Sequence, residues 1–244
     1  MRKDLERLRQ VWNELGADDP LWAILSDPAK RGGRWDDAEF FRLGESEIAA
    51  IEQHCAALAL PRERRLAVDF GCGVGRLTRA LASRYAQVIG VDISPNMLEQ
   101  ARSLNAGFTN LRFVENAASR LEFLADASVD FIYSVITLHH IPPPLQRAYI
   151  REFVRALAPG GLAVLQIATG YSADWRGWAY RMLPNWLLAP LRRHVHASAV
   201  AADLHPLAEA EVATIVAAGG RQIVQAFDID SAGAGFRSRL LFIA

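Results

Sequence analysis

The chain is poor in cysteine and methionine and carries no net charge. Of its 244 residues, two are cysteine (Cys55 and Cys72) and three are methionine. Two thiols build neither a disulfide framework nor a four-cysteine zinc site, and no metal centre is expected. Lys plus Arg and Asp plus Glu number 27 each, so the formal net charge is zero. That removes the simplest electrostatic case for a nucleic-acid or anionic-membrane partner, and neither is expected. No run reaches the roughly 18 apolar residues that a membrane span needs. The charged stretch 1–10 has no apolar centre of the secretory kind, so a cytoplasmic location is expected. Internal repeats and low-complexity tracts are also missing.

What is present is core material: 51% of the residues are hydrophobic, enough for one large domain. From residue 65 the pattern alternates between two periods. Strands are expected over 65–70, 88–91, 111–114, 129–134 and 162–168, with helices over 74–85, 95–106 and 144–157. Ser94 followed by Pro95 is a helix start, and Pro159-Gly160-Gly161 is a turn into the fifth strand. Strands that alternate with helices imply right-handed βαβ units and a doubly wound parallel sheet. After a helix over 206–218, strands over 221–227 and 236–243 are separated only by 228–235, with Gly233 and Gly235. A helical crossover does not fit there, so the pair is expected as an antiparallel hairpin. Residues 1–60 read as a helical cap or lid segment ahead of a main domain over 61–244, which carries an inserted substrate cap over 171–205.

The most informative stretch is Val68-Asp69-Phe70-Gly71-Cys72-Gly73-Val74-Gly75, where a strand ends and a helix opens. Gly71 and Gly73 permit tight-turn backbone angles and close approach of a ligand. Ligands of open α/β sheets bind at the carboxyl ends of strands. The dinucleotide fingerprint is G-x-G-x-x-G; this chain has G-x-G-x-G preceded by an acid. Asp69 can attract an ammonium group and would sit badly beside a pyrophosphate. Asp92, at the end of the second strand, can accept hydrogen bonds from both hydroxyls of a ribose.

These residues, together with Val91-Asp92-Ile93-Ser94, Met97 to Arg102, Asn116-Ala117, Leu138-His139-His140 and Leu157 to Gly161, resemble the class I S-adenosylmethionine-dependent methyltransferase family, small-molecule type. The resemblance covers roughly 65–168. It implies a Rossmann-like seven-stranded sheet, mostly parallel with an antiparallel C-terminal strand, and S-adenosyl-L-methionine as cofactor. It further implies that Gly71, Cys72 and Gly73 line the methionine and ribose portion, with Asp69 near the amino group. Asp92 would hold the ribose hydroxyls, Ile93 and Met97 would sandwich the adenine, and Ser134 would lie beside the sulfonium. Where the family usually has Asp-Ala after the third strand, this chain has Asn116-Ala117. The amide oxygen can still accept from the adenine amine, without the charge.

His139 and His140 follow the fourth strand and are the candidates for a general base, with His140 preferred. The pair His194 and His196, beside Arg192 and Arg193, reads as basic surface rather than a metal site. Substrate contacts are expected from the added segments: from Tyr171 and Trp175, among neighbours Trp178, Tyr180 and Trp186, and from Trp35 in the loop 30–35, whose cations can meet a carboxylate. The implied reaction is methyl transfer to an O, N or C nucleophile of a small molecule. A nicotinamide-dependent oxidoreductase and a cofactor-binding protein that transfers no methyl are the alternatives. The acceptor and the oligomeric state stay open.

Overall fold

The computed structural model describes residues 1–183, 203–230 and 235–244. Trp186, Arg192, Arg193, His194, His196 and Gly233 lie outside the described residues. Seven strands form one sheet: β1 (Leu66–Phe70), β2 (Gln87–Asp92), β3 (Leu111–Glu115), β4 (Val129–Ser134), β5 (Leu157–Tyr171), β6 (Ile223–Ile229) and β7 (Phe236–Ile243). Their order is β3-β2-β1-β4-β5-β7-β6. β1 to β5 are mutually parallel, whereas β7 runs antiparallel to both β5 and β6. The doubly wound sheet and its C-terminal hairpin are as expected.

The strand sequences explain why helices cover both faces. Along β1, Ala67 points to one core while Val68 and Phe70 point to the other. Along β4, Val129 and Ile132 alternate with Phe131 and Tyr133 in the same way. A strand apolar on both sides must be buried on both sides. One face packs against α3 (Asp37–Leu58) and α4 (Arg76–Ala82) through Ile48, Ile51, Cys55, Leu77 and Leu81. The other packs against α6 (Pro143–Ala156) and α8 (Glu209–Ala218) through Leu145, Ile150, Phe153, Val212 and Val216. α7 (Trp175–Met182) follows β5. Burial of a side chain such as Phe153 stabilises the fold by about 1.5–3 kcal/mol.

Two boundaries differ from expectation. α4 starts at Arg76 rather than residue 74, because its N-cap Gly75 sits at φ +83°, and it ends at Ala82. β5 starts at Leu157: the Pro-Gly-Gly turn is absorbed into the strand as an irregularity opposite Val129 and Phe131, with Gly160 at φ +76°. Ser94 caps α5 (Pro95–Leu104) as expected, its Oγ accepting from Met97 N at 3.2 Å.

The N-terminal helices frame the carboxyl edge of the sheet. α1 (Arg2–Asp18) is fastened to the start of α5: Asn96 N donates to Asn13 Oδ1 at 3.0 Å, and Asn96 Nδ2 to the Asn13 carbonyl at 2.9 Å. A Cβ at Gly16 would lie 3.0 Å from Met97 Cγ, so the small residue sets how closely the two helices approach. α2 (Pro20–Ile24) follows, capped by Asp19. α3, by contrast, belongs to the layer that covers the sheet.

Candidate functional site

The sheet changes winding direction between β1 and β4, the place where open α/β folds bind ligands. A cavity of about 940 Å³, counted to its open mouth, lies there. Asp69, Gly71, Cys72 and Gly73 line it from the end of β1, Asp92 and Ile93 from the end of β2, Met97 from α5 and Asn116 from the end of β3. All eight were expected on a cofactor from sequence alone.

The turn is built by backbone bonds across to β2. Gly71 N and Cys72 N both donate to the Val91 carbonyl, at 2.7 and 3.0 Å. Gly71 and Gly73 take φ +79° and +52°. A Cβ at Gly71 would overlap the Thr137 side chain, and one at Gly73 would lie 2.5 Å from Ile24 Cδ1. Only glycine keeps this cradle open. Asp92 locks the cradle: its Oδ2 accepts from Gly73 N and its Oδ1 from Ser94 N, each at 2.9 Å. Each carboxylate oxygen retains a further lone pair for a ligand hydroxyl.

Electrostatically the floor is held away from water. Burial pushes the Asp69 carboxyl up from 3.8 to about 7, against the lowering effect of the Thr78 hydroxyl bond and Arg76 and with the help of Glu47 and Asp92. Burial also raises Asp92, opposed by its backbone N–H bonds from Ser94, Gly73 and Ile93. The Cys72 thiol is pushed well above its ordinary value by burial, so it is a packing element and not a nucleophile.

Other expected residues lie elsewhere. Ala117 is exposed and Ser134 is wholly buried, its Oγ donating to the Phe70 carbonyl at 2.9 Å; neither borders the cavity. Ser134 therefore joins β4 to β1. His139 and His140 do not face the cavity as expected. They sit in a short 3₁₀ turn, Leu138–His140, that folds them inward. Their rings pack 4.4 Å apart, and His140 stands edge-on to Trp12 at 5.1 Å with its Nδ1 3.2 Å from the Asp203 carbonyl. Burial drives His139 down to about 2 and His140 to about 4, so both are neutral and weakly basic near pH 7.

The expected substrate aromatics are also placed apart from this cavity. Trp35 packs on Phe40 and donates from Nε1 to the Leu25 carbonyl at 3.1 Å. In its loop, Lys30 pairs with Glu39. Tyr171 stacks on Phe236 because β5 runs on beside β7, which carries it into a separate groove near Gly170 and Trp178. Trp175 is 71% exposed on α7.

The wall that faces the cradle comes from the N-terminal helices and from the segment after β4. Leu5, Leu8 and Trp12 of α1, Ala23 and Ile24 of α2, and Val135, Ile136, Thr137 and Ile141 after β4 complete the cavity. The spacing of Leu5, Leu8 and Trp12 is a helical stripe readable in the sequence, but nothing local says what it covers. Ile136 sits at φ +54°, a costly angle for a β-branched residue. Its N–H donates to the buried Gln166 Oε1 at 2.6 Å. Among the described residues, no group of three His, Cys, Asp or Glu is placed to hold a metal ion, and no helix is long and apolar enough to cross a membrane.

Comparison with known proteins agrees with this geometry. Residues 67–161 match the family model described as a methyltransferase domain. That stretch is a methyltransferase domain, and the chain is similar to S-adenosylmethionine-dependent methyltransferases. It is 35% identical over 136 residues to the ubiquinone biosynthesis O-methyltransferase of Idiomarina loihiensis, covering 52% of each chain. It is 29% identical over 168 residues to a trans-aconitate 2-methyltransferase of an Azoarcus species, covering 64% of this chain and 63% of the relative. The chain thus spans about half the length of the curated relatives it matches. Among solved structures, magnesium protoporphyrin IX methyltransferase from Synechocystis PCC 6803, with bound S-adenosylhomocysteine, aligns at a TM-score of 0.63. The identity is 20%, with 98% of each chain covered, which shows the same methyltransferase fold.

Proposed function

We propose that this chain transfers a methyl group from S-adenosyl-L-methionine to an O, N or C nucleophile of a small-molecule acceptor. One observation carries the reading. A single cavity at the winding switch gathers Asp69, Gly71, Gly73, Asp92, Ile93, Met97 and Asn116 from the ends of three adjacent strands and the helix after β2. A glycine cradle that any Cβ would fill fits a ligand lying flat on the backbone. An acid on either side fits a ligand with a cationic end and a ribose.

When bound, S-adenosyl-L-methionine supplies an activated methyl group on a sulfonium. The residues supply position. Asp92 takes the ribose hydroxyls with the lone pairs its backbone bonds leave free, Ile93 and Met97 flank the adenine, and Asn116 accepts from its amine. Asp69 takes the ammonium group. The aliphatic residues of α1, α2 and the segment after β4 exclude water and hold the acceptor in line, and they favour an acceptor with a nonpolar ring or chain. Such alignment can contribute up to roughly 7–11 kcal/mol to rate acceleration. No proton is routed through His139 or His140. Residues 1–60 and 171–205 are proposed as the segments that vary the acceptor site. A cytoplasmic setting is proposed with this reading, supported by two free, buried cysteines.

Isothermal titration with S-adenosylmethionine, S-adenosylhomocysteine and NADH tests the reading. Binding of the first two in the micromolar range is expected. NADH binding without either would replace the proposal with an oxidoreductase. A screen of phenol, carboxylate and amine acceptors with methyl-labelled cofactor then tests transfer itself.

A further inference from the structure

Six large hydrophobic side chains stand exposed among the described residues, and four of them belong to α7 and its C-cap: Trp175 at 71%, Trp178 at 62%, Met182 at 60% and Leu183 at 39%. Their concentration on one short helix differs from the single scattered residues usual on a surface. The helix is anchored by its opposite side. Gly177 is buried, where a Cβ would overlap the Ser172 carbonyl, and Tyr180 packs on Phe236 at 4.9 Å. At about 3.6 residues per turn, that anchorage turns Trp175, Trp178 and Met182 outward as one stripe. It puts Arg176 and Arg181 on the two flanks of the stripe, both exposed. The Arg176 guanidinium lies over the Trp175 ring at 5.3 Å. Arg181 and the exposed Arg237 border the groove beside Trp178. Asp174, on the same groove, is engaged as the N-cap of α7, accepting from Gly177 N at 2.9 Å and from the Ser172 hydroxyl.

Across this helix the order is apolar at the crest, cationic along both shoulders and protein-bound beneath. That order matches the depth profile of a lipid surface. Indole and thioether enter the boundary between headgroups and acyl chains, while guanidinium groups stay level with the phosphates. Zero net charge does not oppose it, because exposed charges act over only about 8–10 Å at ordinary ionic strength. A second copy of the chain fits the face less well: at about 150–250 Å² for a whole aromatic side chain, these four half-exposed residues fall short of the ~800 Å² that each partner of a stable dimer buries. We propose that α7 docks the protein on an anionic lipid surface. Trp175, Trp178 and Met182 insert, and Arg176, Arg181 and Arg237 meet the headgroup phosphates. β5 runs parallel to β4, so α7 follows it at the carboxyl edge of the sheet, the same edge at which the cavity lies. A nonpolar acceptor held in the lipid thereby meets the edge that carries the cavity. Only this last consequence rests on the methyl-donor reading; the docking itself does not.

Flotation of the full chain with vesicles, without cofactor or acceptor, tests the proposal. Mixed phosphatidylglycerol–phosphatidylcholine vesicles are compared with phosphatidylcholine alone, at low and at physiological ionic strength. Binding to the anionic vesicles is expected, weakened by salt. Trp175→Ser combined with Trp178→Ser should lower vesicle affinity about tenfold or more. Arg176→Gln combined with Arg181→Gln should lower affinity for the anionic vesicles by about 10–30-fold and leave weak binding to phosphatidylcholine unchanged. All four side chains are exposed, so an unaltered thermal midpoint shows that each variant is folded. Absence of anionic-vesicle binding by the unaltered chain overturns the proposal. So does binding that survives both double variants, which would come from another face. A dimer that the tryptophan variant dissociates, seen by sedimentation without vesicle binding, gives the face to a second copy instead.

Discussion

Thr78 donates its hydroxyl to Asp69 Oδ2 across 2.6 Å in a wholly buried corner, and this bond restrains a carboxyl that burial pushes to about 7. The ammonium-binding role proposed for Asp69 requires the ionised form. Affinity for S-adenosylhomocysteine should therefore rise as pH increases through about 7 and be accompanied by proton release. Thr78→Val removes the donor, so the midpoint of that rise should move to higher pH. Asp69→Asn should abolish the pH dependence and weaken binding at least tenfold. Titration calorimetry between about pH 5.5 and 8.5, in buffers of different ionisation enthalpy, reads both effects. A flat affinity profile in the unaltered chain would mean that Asp69 does not meet the ammonium group.

The same shift has a consequence for stability. The folded chain retains a proton on Asp69 that the unfolded chain releases near 3.8. The contribution of this group is thus present at low pH and is lost as pH rises through about 7. Asp69→Asn should remove that decline, measured as a smaller loss of denaturation midpoint between about pH 5 and 8.

Gly73 and Ile24 provide a test of how α2 closes on the cradle. Gly73→Ala puts a Cβ 2.5 Å from Ile24 Cδ1 at a φ of +52°. Two costs add: about 1 kcal/mol for the left-handed backbone angle, and a clash of about 1–3 kcal/mol. Ile24→Ala in the same chain should relieve the clash and leave the backbone cost. A double-mutant cycle on thermal stability should show a favourable coupling of about 1 kcal/mol or more. Purely additive effects would mean that α2 does not rest on the glycine loop.

How much of this was legible beforehand follows from where each signal resides. Asp69, the glycines, Asp92, Ile93 and Met97 lie within a few residues of strand ends, so local pattern and βαβ topology together place them on one edge. The far wall depends on contacts between distant segments: α1 crosses to α5 through Asn13 and Asn96, and nothing near Trp12 in the chain points to that partner. The aromatics after β5 misled for the opposite reason. A cluster of Tyr171 and Trp175 is conspicuous in sequence, but β5 extends to Tyr171 beside β7 and carries the cluster past the cavity. The two histidines follow β4 as expected, yet the direction of a side chain in a 3₁₀ turn is decided by packing, here against Trp12 and each other.

Gln166 should matter more than its place inside β5 suggests. It accepts from Ile136 N at 2.6 Å and donates from Nε2 to Ser238 Oγ at 3.1 Å. Gln166→Leu keeps the volume but strips both bonds, leaving the amide of a residue at φ +54° without its acceptor. A loss of about 1–3 kcal/mol is expected, read by chemical denaturation. Gln166→Glu, which keeps the acceptor, should lose less of the Ile136 contact at a pH where the glutamate is protonated. Because Ile136 lines the cavity, the leucine variant should also weaken S-adenosylhomocysteine binding by more than its stability loss explains.

His139 should set part of the acid limit of the fold. Its side chain is buried, its Nδ1 has no partner within the protein, and burial followed by the neighbouring His140 lowers it from 6.5 to about 2. The folded state keeps the ring neutral while the unfolded state takes up a proton below 6.5. The stability this group contributes is therefore complete above 6.5 and is lost as pH falls towards about 2. His139→Leu removes both the titration and the unpartnered nitrogen. The variant should lose less stability than the unaltered chain between about pH 7 and 5, and should equal or exceed it at the lower end. A residual slope should persist, because His140 is lowered in the same sense to about 4. If methyl transfer proceeds without a histidine base, the same variant should keep its turnover to within about threefold, whereas a base contributes about 10²–10⁴-fold. A collapse in turnover with intact S-adenosylhomocysteine binding would return His139 to the chemistry and overturn the assignment of positioning alone to this site.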